Sequence, residues 1–121
     1  MEQINYDQLH EYLVAAAELI KDLKYSLAKE MLINAMLVND RSPQIHNLLG
    51  IIHEYQGNKE MAMRHYRAAN VFDGTFNPAI ENLIRCGDNS RHSQQKPNFG
   101  LQDLSFEERR QKIYNDDHII L

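Results

Sequence analysis

The chain has no tryptophan and a single cysteine, Cys86, in 121 residues. One thiol cannot close an intrachain disulfide, so the fold must stand on its own core, and a reducing, cytoplasmic setting is expected. Glycine (5) and proline (3) are scarce, which argues against a turn-rich all-β fold. Apolar runs are only a few residues long, too short to span a bilayer. No basic stretch followed by an apolar run opens the sequence, so no signal peptide is expected. An excess of positive charge is missing too: 13 Lys and Arg stand against 17 Asp and Glu, for a net charge of −4. Such a chain has no general attraction to phosphate backbones or anionic lipid, so neither nucleic acid nor membrane is an expected partner. A Gly-rich phosphate loop and a nucleophile-elbow motif are also lacking. What remains is ordinary for a soluble folded protein, 43% hydrophobic and 25% charged, and it suffices for one modest core.

A repeat organises the chain. Residues 9–42 and 43–76 align without a gap at a shift of 34. Ala28 falls on Ala62, Ala35 on Ala69, Ala16 on Gly50 and Leu32 on Tyr66. Small residues sit on small ones, where helices must approach closely. A third copy begins at Asn77, with Ile80 aligned to His46 and Tyr12, and Leu83 to Leu49 and Ala15.

The punctuation fits helices. Ser42-Pro43 is a cap residue followed by Pro at the first helical position, and Asn77-Pro78 repeats it. Gly57-Asn58 ends one helix and caps the next, and Asp73-Gly74 closes the second unit. Helices are predicted near 6–22, 25–39, 43–56, 59–72 and 77–86. Ile45, Leu48, Leu49 and Ile52 form one apolar stripe, and Ala62, Tyr66, Ala69 and Phe72 another.

From residue 88 the composition turns polar and aperiodic, and 88–103 reads as a linker. Ser105-Phe106-Glu107-Glu108 has the form of a capping box, which predicts a short helix near 105–115 with Phe106, Ile113 and Tyr114 on one side. Residues 1–87 are thus expected to form one domain, and 88–121 a linker and tail.

A 34-residue helix-turn-helix period with small and aromatic residues at these places resembles the tetratricopeptide repeat. The second unit carries Leu49, Gly50, Ala62, Tyr66 and Ala69 at matching positions; the first carries Tyr12, Ala16, Ala28, Leu32 and Ala35. His46 and His53 stand where that family places aromatics, and Leu23-Lys24 stands at the turn of the first unit. The resemblance covers residues 9–86. It implies an all-α solenoid of two helical repeats, with residues 77–87 as a capping helix over the open end of the stack. Ile84, where the family needs a small residue, and the polar stretch after it fit a solitary helix.

The resemblance further implies a concave groove lined by the first helix of each pair. Carried over by repeat position, its residues are Leu13 and Ala17, then Asn47, Ile51 and Glu54, then Glu81 and Arg85. Leu13 and Ala17 stand where carboxylate-holding members carry Lys and Asn, so binding of a C-terminal carboxylate is not expected. The expected function is that of a non-enzymatic scaffold or adaptor that binds a peptide or helix of a partner protein in this groove. The alternative is a chaperone-like protein that masks an apolar segment of a client. No cofactor is implied. A metal or remnant enzymatic site on His46 and His53 ranks below both: His10-Glu11 and His53-Glu54 begin like a zinc-protease motif, but neither has a second His four residues after the first. Those histidines and Cys86 read as packing residues. Phe106, Ile113 and Tyr114 are more apolar than a free tail needs, so the tail is expected to dock on its own domain or on a second copy.

Overall fold

A computed structural model describes residues 3–88, 95–103 and 105–119, and among these every regular element is a helix. The helices are α1 (Tyr6–Lys21), α2 (Tyr25–Val38), α3 (Pro43–Tyr55), α4 (Lys59–Phe72), α5 (Asn77–Gly87) and α6 (Phe106–Ile119). The first five lie within a residue or so of the boundaries that periodicity and caps predict. α6 runs four residues beyond its expected end.

Short turns fold α1 back on α2 and α3 back on α4, and α5 packs on α4. α3 is central and also meets α1, α2 and α5. The first two turns share one geometry. Leu23 and Gly57, related by the 34-residue shift, both take a left-handed backbone, φ 63° and 80°. In each turn the next residue's N–H returns to a carbonyl five residues back: Lys24 to Leu19 and Asn58 to His53, both at 2.8 Å. Glycine adopts this conformation at little cost; leucine does so under strain.

The caps follow the sequence in part. Asn58 Oδ1 accepts from the Met61 N–H, and Ser105 and Glu108 form the reciprocal box, both bonds at 3.2 Å. Two expected caps differ. The Ser42 hydroxyl donates to Gln44 Oε1 at 2.6 Å instead of accepting from the helix. Asn77 is the first residue of α5, and Phe76, buried at the cap position, precedes it.

The main core runs through the helices, with Leu9, Leu13 and Ile20 of α1, Leu32 of α2, Ile45, Leu48 and Ile52 of α3, and Tyr66 of α4 buried, and a smaller cluster joins Ala69, Phe76 and Ala79. Tyr66 is the largest of them, and it lies against Gly50. A Cβ on Gly50 would stand 2.7 Å from Tyr66 Cδ1, so only glycine lets the ring in. Ala16, Ala28, Ala35, Ala62 and Ala69 are buried where small residues are expected. Phe72, assigned to the second stripe, is half exposed and stacks on His46.

Candidate functional site

The face shared by α1, α3 and α5 carries the residues marked by repeat position. Asn47 and Asn82 sit on α3 and α5, 35 residues apart, and both are fully buried polar side chains. Each stands four residues after a Pro at the first or second position of its own helix. Buried carboxamides require partners, and they find them in residues 95–103.

That stretch is no free linker. It lies across this face, with Pro97 and Gly100 buried and Phe99 and Leu101 packed against the core. Asn82 Oδ1 accepts the Asn98 N–H at 2.8 Å, and Asn82 Nδ2 donates to the Asn98 carbonyl at 2.8 Å. Asn47 Nδ2 donates to the carbonyls of Asn98, at 3.0 Å, and Phe99, at 3.2 Å. Asn82 also donates to Asn47 Oδ1, at 2.9 Å. The two carboxamides therefore read backbone: they hold one residue by its N–H and its carbonyl and touch the next. The Lys21 ammonium stands 5.1 Å above the centre of the Phe99 ring.

Leu13, Ala17 and Ile51 are almost fully buried. They belong to the core beneath this face, and so are not the open apolar wall that the sequence suggests. Glu81 is exposed and accepts from Asn98 Nδ2 at 2.7 Å. Glu54 and Arg85 form a forked ion pair, with Arg85 Nη1 at 2.5 Å and Nη2 at 2.6 Å from the two carboxylate oxygens. The Tyr66 hydroxyl and the Cys86 thiol also donate to Glu54 Oε1, at 2.7 and 3.1 Å. Burial alone would raise the Glu54 pKa, but the bonds from Arg85, Tyr66 and Cys86 outweigh it and hold the carboxyl below its usual range. The Cys86 thiol is pushed up to about 11 by burial and by Glu54, so it is a protonated donor and no nucleophile at neutral pH. Arg85, the one cation expected on this face, is committed to Glu54.

Among the described side chains, the tail docks through others than Phe106 and Ile113. Phe106 and Ile113 are exposed, and Tyr114 lies outside the residues whose side chains are described. α6 is held at its polar side instead. The Phe106 N–H donates to Asp73 Oδ2 at 2.7 Å, and Arg109 to the Thr75 hydroxyl at 2.9 Å. Gln44 donates to both carboxylate oxygens of Glu108, at 3.1 and 3.2 Å, and Gln111 to the Ile4 carbonyl at 3.5 Å. Composition hides the docking segment; its one signal is Pro97, Phe99 and Leu101, three apolar residues at alternate positions in a polar stretch.

No family model, curated protein or solved structure matches this chain.

The histidines form a separate cluster between α3 and α4. The His53 and His65 rings stack at 5.1 Å, the His46 and His65 rings at 5.4 Å, and the Nδ1 atoms of His46 and His65 are 3.2 Å apart. Burial lowers the pKa of His46, and burial with the Lys29 charge lowers that of His53. His65 falls to about 4, through burial first and then its two His neighbours and Lys29. The rings act as neutral packing surfaces near pH 7. Nothing in the sequence singles out His65. Among the described residues no three His, Cys, Asp or Glu side chains are grouped to hold a metal ion, and no helix is long and apolar enough to cross a membrane.

Proposed function

We propose that this chain is a non-enzymatic protein-protein interaction module. Its two helix pairs and fifth helix are read as tetratricopeptide-like units in a short solenoid, whose α1-α3-α5 face takes an extended segment of a partner protein. One observation carries this reading: Asn47 and Asn82, buried on neighbouring helices, hold the backbone of residues 98 and 99. Side chains that bond to backbone accept any extended segment whose side chains fit the flanking surfaces. The polar centre of the face, with Asn47, Asn82, Glu54 and Arg85, favours such a segment over the masking of a purely apolar client. No cofactor enters the reading, and the single thiol suits a reducing, cytoplasmic setting.

Display of random peptides against the full chain tests it. Selected peptides are expected to lose at least tenfold in affinity against Asn47→Ala/Asn82→Ala. Peptides that bind the double variant undiminished, or failure to select any, would overturn the proposal.

A further inference from the structure

The segment that fills the face shows what the face requires. Asn98 places its backbone between Asn82 and Asn47, its Nδ2 on Glu81, and its Oδ1 on the Gly100 N–H at 2.9 Å, which folds the segment locally. Phe99 meets the core and the Lys21 ammonium. Gly100 has φ 70°, and a Cβ there would lie 2.7 Å from Phe76 Cζ and 2.9 Å from Pro78 Cβ. Glycine is thus required twice, for its backbone and for space. Pro97 before and Leu101 after are buried or packed on the core. The requirements read in order: proline, asparagine, aromatic, glycine, aliphatic.

Beyond this segment the chain is held lightly. Phe106, the first residue of α6, is exposed, and α6 is fixed by hydrogen bonds, exposed at Phe106 and Arg109 and part-buried at Glu108 and Gln111. Each such bond contributes modestly, because water offers an alternative partner. The face is complementary to residues 97–101, while α6 anchors them only loosely. This is the arrangement of a site kept filled by a tethered ligand that a stronger one replaces.

We infer that the partner of this face is a protein bearing an exposed Pro-Asn-aromatic-Gly-aliphatic segment, which takes the place of residues 97–101. This rests on the reading of the face as a peptide site. The test uses the full chain and a fluorescent peptide of residues 95–103, with binding read by anisotropy. Gly100→Ala changes the resident segment alone and should release it. The peptide is expected to bind this variant at least tenfold more tightly than the wild type. Adding Asn82→Ala should remove the gain, and a peptide carrying Gly100→Ala should bind neither protein. Should the variant unfold, excess wild-type peptide on the wild-type chain gives the same answer: faster hydrogen exchange at the amides of 98–101, with α1 to α4 unchanged.

Equal or absent binding to the two proteins, while exchange shows 95–103 released in Gly100→Ala, overturns the inference. If displayed peptides of another pattern then bind through Asn47 and Asn82, the broader reading survives; if none binds, both fall. A wild-type dimer that exchanges 95–103 between copies would make a second copy the partner and overturn the foreign one.

Discussion

Asn82 donates its amide hydrogen to Asn47 Oδ1 at 2.9 Å, and both carboxamides then meet at the carbonyl of Asn98. Three asparagines from α3, α5 and the segment after α5 thus satisfy one another, and the two on the helices are shut away from water. Asn82→Ala leaves Asn47 Oδ1 and the Asn98 N–H without their partner. The expected cost is about 1–3 kcal/mol, the scale for buried polar groups stripped of a bond. Urea unfolding measures it, and hydrogen exchange should show the loss first at residues 97–101.

Gly50→Ala is expected to destabilise by about 1–3 kcal/mol, the range for overpacking a filled core. The Tyr66 ring has nowhere to retreat, because its hydroxyl is tied to Glu54 at 2.7 Å. Ala62→Leu, buried on the facing helix, should act in the same range. Thermal melts equal to wild type for both would mean that α3 and α4 do not meet there.

Leu23→Gly is expected to stabilise the chain by a few tenths to about 1 kcal/mol. Its left-handed backbone costs leucine roughly 1–2 kcal/mol, glycine's greater freedom in the unfolded chain takes back part of the gain, and its exposed side chain leaves little packing to lose. A lower melting point would show that the side chain matters more than the turn.

Stability should fall as pH drops from about 6.5 towards about 4. The native pKa of His65 lies near 4, below the ordinary 6.5, so the unfolded chain takes up protons in this window that the native chain refuses. The contribution is whole above the unfolded pKa and lost towards the folded one. His65→Gln should flatten the dependence of the urea midpoint on pH between 4.5 and 7, about the bounds set by those two values. An unchanged slope would place the titration elsewhere.

Glu54→Gln is expected to cost about 1.5–3 kcal/mol, the worth of hydrogen bonds to a charged group. It removes the charge that Arg85, Tyr66 and Cys86 all address. The wild-type advantage should be present at neutral pH and vanish in acid, below the usual carboxylate range, because the native Glu54 pKa is lowered. A variant as stable as wild type at pH 7 would show that the ion pair only offsets its own desolvation.

The helices are legible in the sequence because each carries its own signal. Stripes such as Ile45-Leu48-Ile52, the Gly57-Asn58 break and the Ser105-Glu108 box are local and need no tertiary knowledge. The linker misleads for a related reason. Residues 95–103 gain their order from hydrogen-bond partners 16 to 59 positions away, Asn82 and Gln44 among them, and polar composition says nothing of such partners. Leu13, Ala17 and Ile51 are expected on the face but lie in the core beneath it, a distinction that repeat position alone does not draw. Phe106 and Ile113 stand out by hydrophobicity, whereas α6 docks through Arg109, Gln111 and Glu108.

The bond from Gln111 to the Ile4 carbonyl joins positions 107 residues apart, and its consequence is mechanical. A row of helices that touches only its neighbours frays from either end, one unit at a time. Here residues 95–103 lie across α3 and α5, and α6 reaches back to Ile4 by one bond at 3.5 Å. That single bond should open first, while α3 and α5 stay joined through Asn98. The helices from α3 to α5 should then melt together, and folding should be slower than the helix content suggests, because residues 98 and 99 join distant parts of the chain.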